Sequence, residues 1–211
     1  MAKRSSVYLI IIVLFAILLR LAFFSGVDTS DSVFYAKSAN DLLNNQFPSE
    51  ITQLNARIGL LIPVSISYSI FGVNDFSSAL FPLLISIFGI IVIFYFGKFL
   101  FNEKVGLVAA FLLSFFPFDV LYSTRLLSDL PSAFFSGLSI FLFLKAEKTV
   151  RKQYSYLFYA LSGVSLGISF TIREMAVMLI LFFLVYVLYN KEFKWSYALV
   201  GIGFLLIVIA D

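Results

Sequence analysis

Long apolar runs, separated by short polar stretches in which Lys and Arg cluster, decide what this chain can fold into. The first runs from Val7 to Phe24 and is interrupted only by Arg20; others follow at 76–101, 105–122, 131–144, 154–170, 175–189 and 195–210. A hydrocarbon layer of ~30 Å asks for about twenty apolar residues per helix. The chain is 61% hydrophobic and 13% charged, with a mean hydropathy of +1.01, where soluble domains run at roughly 45–50% and 25%. The sequence therefore predicts an all-α integral membrane protein with about seven transmembrane helices.

The basic residues orient those helices. Lys3 and Arg4 precede the first run and no small-x-small cleavage site follows it, so residues 1–24 read as a signal anchor with its N-terminus inside. Arg20, near the far end, is expected to snorkel outward. Residues 25–75 form a long external loop carrying two juxtamembrane helices. The first, Asp31 to Phe47, is expected to be amphipathic, with Val33, Ala36, Leu43 and Phe47 on one stripe and Ser30 or Asp31 as its cap. The second, Ile58–Phe71, is short for a span and holds Pro63, so it reads as interfacial or re-entrant. Residues 76–211 then make a helical bundle, and the whole chain is one module. This arrangement puts ten of the fifteen Lys and Arg inside, among them Lys98, Lys104, Lys145, Lys148, Arg151, Lys152, Lys191 and Lys194. Nine of the twelve acids fall on or near the outer side: Asp28, Asp31, Asp41, Glu50, Asp75, Asp119, Asp129, Glu174 and Asp211. A +3 net charge distributed in this way orients helices and is no nucleic-acid signature.

Two missing residue types prune the chemistry. With no cysteine there is no thiol nucleophile, disulfide or thiolate metal site, and with no histidine the commonest general base and metal ligand is gone. Carboxylates, Arg, Lys, Tyr or hydroxyls are left to act. The Gly163-Val-Ser165-Leu-Gly167 pattern resembles a nucleophile elbow, but it lies in an apolar run with no histidine to complete a triad. Gly163 and Gly167, four apart, read instead as a helix-packing face. The outer polar residues are the better candidates. Asp31 and Tyr35 share a helix face, and Asp129 opens the run at 131–144. Each has a plainer reading: Asp31 or Asp129 as a helix cap, Arg57 as a headgroup anchor, Tyr35 as an interfacial aromatic, Asp28 as loop solvation, and Arg173 paired with Glu174.

The order of these motifs resembles a known family. Asp31-Ser-Val-Phe-Tyr35-Ala-Lys-Ser-Ala39 is similar to the D-E-x-x-Y-x-x-x-A signature that follows the first span of polyprenyl-phosphate-sugar glycosyltransferases. These form the GT-C superfamily branch that holds protein O-mannosyltransferases and lipid A aminoarabinose transferases. The likeness continues through Arg57-Ile-Gly-Leu, Phe71-Gly72, Ser123-Thr-Arg125-Leu-Leu-Ser-Asp129-Leu-Pro131 and Thr171-Ile-Arg173. Ser32 stands where many relatives carry a second acid, and Arg57 where the aminoarabinose-type members have Lys before Pro. Family members usually run to more than twice this length, so the chain resembles their N-terminal transmembrane module, and the end at Asp211 suggests continuation or truncation.

The resemblance implies transfer of a sugar from a polyprenyl (dolichyl or undecaprenyl) phosphate to an acceptor hydroxyl, with inversion, on the external face of a membrane, a prokaryotic plasma membrane before an endoplasmic reticulum. It implies catalytic roles for Asp31, as general base, and Asp129. Arg57, Arg125 and Arg173 would bind the donor phosphate, and Asp28, Tyr35 and Glu174 would be further substrate contacts. Partners would be the lipid-phosphate donor, membrane lipids and an unidentified protein, glycan or lipid acceptor, with no nucleic acid. Oligosaccharyltransferases of the same superfamily use a D-x-D pair for a divalent ion; here Leu130 and Pro131 follow Asp129, and Asp28 with Asp31 is the only close acidic couple. The expectation is a metal-independent monophosphate donor with no cofactor, a divalent ion remaining the alternative. The competing functional classes are a non-catalytic lipid-phosphate-binding subunit, a transporter-like protein and a helical interaction module.

Overall fold

The computed structural model describes residues 2–46, 52, 55–191 and 194–210, with the side chains of residues 2 and 3 left aside. Phe47, Glu50, Asp211 and the Lys3 side chain therefore lie outside the described residues. The chain is helical throughout, with no strand among the described residues, and it packs as two compact units. Unit 1 comprises residues 1–56 and 60–131, unit 2 residues 57–59 and 132–211.

Unit 1 is organised around α1 (Ala2–Ala22), α4 (Asp75–Leu100) and α5 (Glu103–Ser114). Ala16, Ile90, Phe94 and Ala110 form its buried core, with Leu9, Ile12, Val13, Ile87, Leu107 and Leu113 packed against them. Between α4 and α5, Asn102 caps the second helix by accepting from the amides of Lys104 and Val105 at 3.0 and 3.1 Å. Gly97 and Gly106 let the two helices touch, since a Cβ on Gly97 would stand 2.9 Å from the Gly106 Cα. In a membrane, where lipid is as apolar as leucine, such close backbone approach is a main source of helix association.

The run at 105–122 is not one straight helix. It breaks at Phe115–Phe116 into α5 and α6 (Pro117–Ser123), which meet at 59°. Pro117 lacks an N–H and clashes with a preceding helical turn, so it starts a new helix instead of continuing the old one. The ends of unit 1 are defined by contacts. At one, the Ser5 hydroxyl donates to Glu103 Oε1 at 2.6 Å. At the other, the Gly26 amide donates to the Thr124 carbonyl at 3.1 Å. The segments that directly follow α1 and α6 thus meet at one end of the unit.

Two shorter helices complete unit 1. In α2 (Ser30–Leu43) the N-cap is Thr29, whose hydroxyl accepts from the Ser32 amide at 3.2 Å, not Ser30 or Asp31. Its buried face is Ser32, Tyr35 and Ala39, whereas Val33 and Leu43 of the expected stripe are exposed. The Ser65 hydroxyl of α3 (Ile58–Phe71) donates to the Ala39 carbonyl at 3.0 Å. At 14 residues, α3 is about 21 Å long, too short for a straight crossing.

Unit 2 pairs α7 (Asp129–Lys148) with α8 (Lys152–Ile172), followed by α9 (Leu179–Asn190) and α10 (Ala198–Ala210). Hydroxyls join α7 to α8: Ser139 and Ser162 stand 3.1 Å apart, Ser132 and Ser169 3.0 Å, Ser136 and Ser169 2.8 Å. Glycines join α8 to α10. A Cβ on Gly163 would collide with the Val200 carbonyl, and one on Gly167 would fall 2.7 Å from Ile207 Cβ. These two glycines are therefore the packing face expected of them. Around Phe143, the rings of Tyr159, Phe183, Tyr186 and Tyr197 lie 4.9–5.7 Å away, centre to centre.

Among the described residues four helices, α1, α4, α7 and α8, are long and apolar enough to cross a membrane, or five with α5 and α6 as one broken span. That is fewer than seven. The runs at 175–189 and 195–210 each open with a 3₁₀ turn, leaving α-helices of 12 and 13 residues.

Candidate functional site

The loop end of unit 1 brings together polar side chains from separate parts of the chain. Leaving α1, the chain turns at Gly26, whose φ of +77° is open to glycine without strain. Its missing side chain admits Asp75, since a Cβ there would stand 2.9 Å from the Asp75 Cγ. The Gly26 amide is bonded to Thr124, and the Ser25 and Thr124 hydroxyls meet at 3.0 Å. One residue past Thr124 and two past Gly26, Arg125 Nη2 pairs with Asp28 Oδ2 at 2.6 Å, while Arg125 Nε donates to Ser25 Oγ at 3.4 Å. Asp28, expected as loop solvation or a substrate contact, is thus an ion-pair partner.

Arg125 uses two of its five N–H donors in these bonds. A guanidinium so placed can still grip an oxyanion, and Asp28 fixes its orientation. The acids singled out by the sequence follow at once on either side: Asp31 is exposed in the first turn of α2, and Asp129 is half-buried as the first residue of α7. Tyr35 is only 1% exposed, so it supports α2 from the packed side. Beside this junction runs an apolar cavity of about 410 Å³ lined by Leu19, Phe23, Ser25, Phe115, Pro117, Val120 and Leu121. Phe115 and Pro117, on either side of the helix break, are among its walls.

Beneath the junction, Arg20 does not snorkel. It is fully buried and pairs with Asp119, which sits in the first turn of α6 and not at the outer surface. Its Nε donates to Ser86 Oγ at 2.8 Å and its Nη1 to the carbonyls of Ala16 and Ser114, both at 3.0 Å. Ser86 in turn donates to Asp119. Arg20 near the end of a run reads as a snorkelling cation because its counter-ion is distant in sequence. Asp119 two residues after Pro117, in an otherwise apolar stretch, is the signal that could have revealed it.

The remaining candidates lie in unit 2. Arg57, with 12% of its side chain exposed, places Nη2 3.9 Å from Glu174 Oε1. Gly59 lies against the end of α8, where a Cβ would fall 3.0 Å from Ile172 Cγ1. Arg173 is the C-cap of that helix, extended at φ −156°. Glu174 therefore pairs with Arg57. Among the described residues no three acidic side chains gather as a metal-ion ligand set.

A protein-family model for dolichyl-phosphate-mannose-protein mannosyltransferases matches residues 61–210, a stretch that includes Arg125, Asp129, Arg173 and Glu174. No curated protein and no solved structure matches the chain.

Proposed function

The chain belongs to the dolichyl-phosphate-mannose-protein mannosyltransferase family of membrane glycosyltransferases, and on that premise we propose that it transfers a sugar from a polyprenyl monophosphate to an acceptor hydroxyl on the external face, with inversion. The observation that carries the reading is the junction of the two loops, where Arg125 is held by Asp28 and Ser25 between the segments bearing Asp31 and Asp129. The neighbouring apolar cavity suits the first isoprene units of a donor whose phosphate meets Arg125. The setting is a prokaryotic plasma membrane.

In the reaction the acceptor oxygen attacks the anomeric carbon from the face opposite the phosphate. One C–O bond forms, the C–O bond to phosphate breaks, and the acceptor proton passes to a carboxylate. Asp31 takes that proton, since it is exposed on a helix capped by another residue. Asp129 orients the acceptor. Arg125 neutralises the departing phosphate, and Asp28 holds it in place. The donor and these side chains account for every step without a metal ion.

Asp31→Asn keeps shape and removes basicity. In the full-length protein it is expected to lower transfer by about 10²–10⁴-fold while leaving donor affinity unchanged. Near-normal transfer would return Asp31 to a surface role. A wild-type protein that binds the donor and never turns it over would identify a non-catalytic lipid-phosphate-binding subunit.

A further inference from the structure

We propose that the buried Arg20–Asp119 pair is a positioning device for the loop junction: it fixes α6 against α1 so that Arg125 is presented beside Asp28. The proposal rests on the reading of Arg125 as a donor-phosphate ligand only for its catalytic consequence; the positioning itself is a matter of geometry.

Three observations carry it. First, Arg20 binds every element on which the junction depends. Its donors reach α1 through the Ala16 carbonyl, α4 through Ser86, the end of α5 through the Ser114 carbonyl, and α6 through Asp119. Second, it sits at the helix break. A helix end inside a bilayer leaves carbonyls that neither water nor a following turn can satisfy, and Arg20 takes that of Ser114, the last residue of α5.

Third, the two strands of chain run in parallel from the pair to the junction, in one register as far as Ser25 and Thr124 and shifted by two residues at Asp28 and Arg125. Arg20 faces Asp119, Ser25 faces Thr124, and Asp28 faces Arg125. The charges are reversed between the ends: the cation is on the α1 side in the bundle and on the α6 side at the mouth. A slip of α6 along α1 would separate both pairs at once and strand charge in an apolar layer, which is costly. Replacing a buried pair by apolar residues of similar size is often neutral for stability. Location, more than stability, is what this pair supplies.

The chain contains no cysteine, so Ser25→Cys/Thr124→Cys in the full-length protein is a clean reporter, the native hydroxyls being 3.0 Å apart. Its oxidative cross-linking rate is compared in the parent and in the apolar double variant Arg20→Met/Asp119→Leu. Cross-linking is expected to slow about tenfold in the double variant. Without the reporter cysteines, that variant should show a donor KM raised about tenfold and a kcat within about threefold, because a misplaced ligand weakens donor binding first. Cross-linking at the parent rate would overturn the proposal. Slowed cross-linking with an unchanged donor KM would uphold the positioning and overturn Arg125 as a phosphate ligand. If the double variant is not recovered folded, Arg20→Lys keeps the charge and loses the fork. It should slow cross-linking about threefold, and a parental rate there would equally overturn the proposal.

Discussion

The two units join apolar helices in an apolar solvent, both through close glycine contacts, and differ in the polar seam that each adds. Unit 1 holds its broken span with a buried ion pair that reaches four helices. Unit 2 holds its long antiparallel pair with a ladder of serine hydroxyls and its last helix with glycines. A hydroxyl ladder is neutral and satisfied at any of several serines, so it suits a straight seam. An ion pair tolerates no displacement, so it suits a break whose outgoing helix must end at one place. Strictness sits where a loop has to be aimed.

The sharpest way to break this contrast is to remove one charge. Asp119→Leu leaves Arg20 buried without its counter-ion and is expected to destabilise the protein by about 3–5 kcal/mol, read as loss of monodisperse protein and of thermal stability in detergent. Adding Arg20→Met should restore most of that stability, and failure to do so would mean that α6 needs the charges to fold at all. Next in size is Gly163→Val in unit 2, where the new Cβ collides with the Val200 carbonyl. Overpacking there should cost roughly 1–3 kcal/mol, and a thermal stability equal to the parent would show that α8 and α10 do not touch as closely as described. The smallest effect belongs to Ser139→Ala, since interhelical hydroxyl bonds in membranes are worth ~0.6 kcal/mol and Ser132, Ser136 and Ser169 remain. A loss as large as that of Asp119→Leu would erase the distinction between the two seams.

The long helices were legible because length and hydropathy are what a bilayer selects. Which face of them packs was not. In α2 the sequence marks Val33 and Leu43 as part of an apolar stripe, and these are exposed while Ser32, Tyr35 and Ala39 are buried. Against lipid, an apolar side chain loses nothing by pointing outward, so hydrophobicity no longer marks the interior and small residues do. Gly163 and Gly167, packed against α10, are legible on that ground. The short length and Pro63 of the 58–71 helix are legible too, while Pro117 lies inside a run that reads as continuous. Of the site, sequence supplied Asp28 and Arg125 as separate candidates in separate roles. Their pairing, like that of Arg20 with Asp119, joins positions about a hundred residues apart, and only the parallel course of α1 and α6 brings them together.

The central claim is that the junction of these two loops holds the donor phosphate. Its most direct test is donor kinetics of full-length Arg125→Ala, a half-exposed position whose loss should leave folding intact. Losing charge-assisted bonds worth about 1.5–3 kcal/mol predicts a donor KM raised roughly 10–100-fold, together with a lower kcat, at unchanged thermal stability. A donor KM and kcat equal to the parent would contradict it and move the phosphate away from the junction.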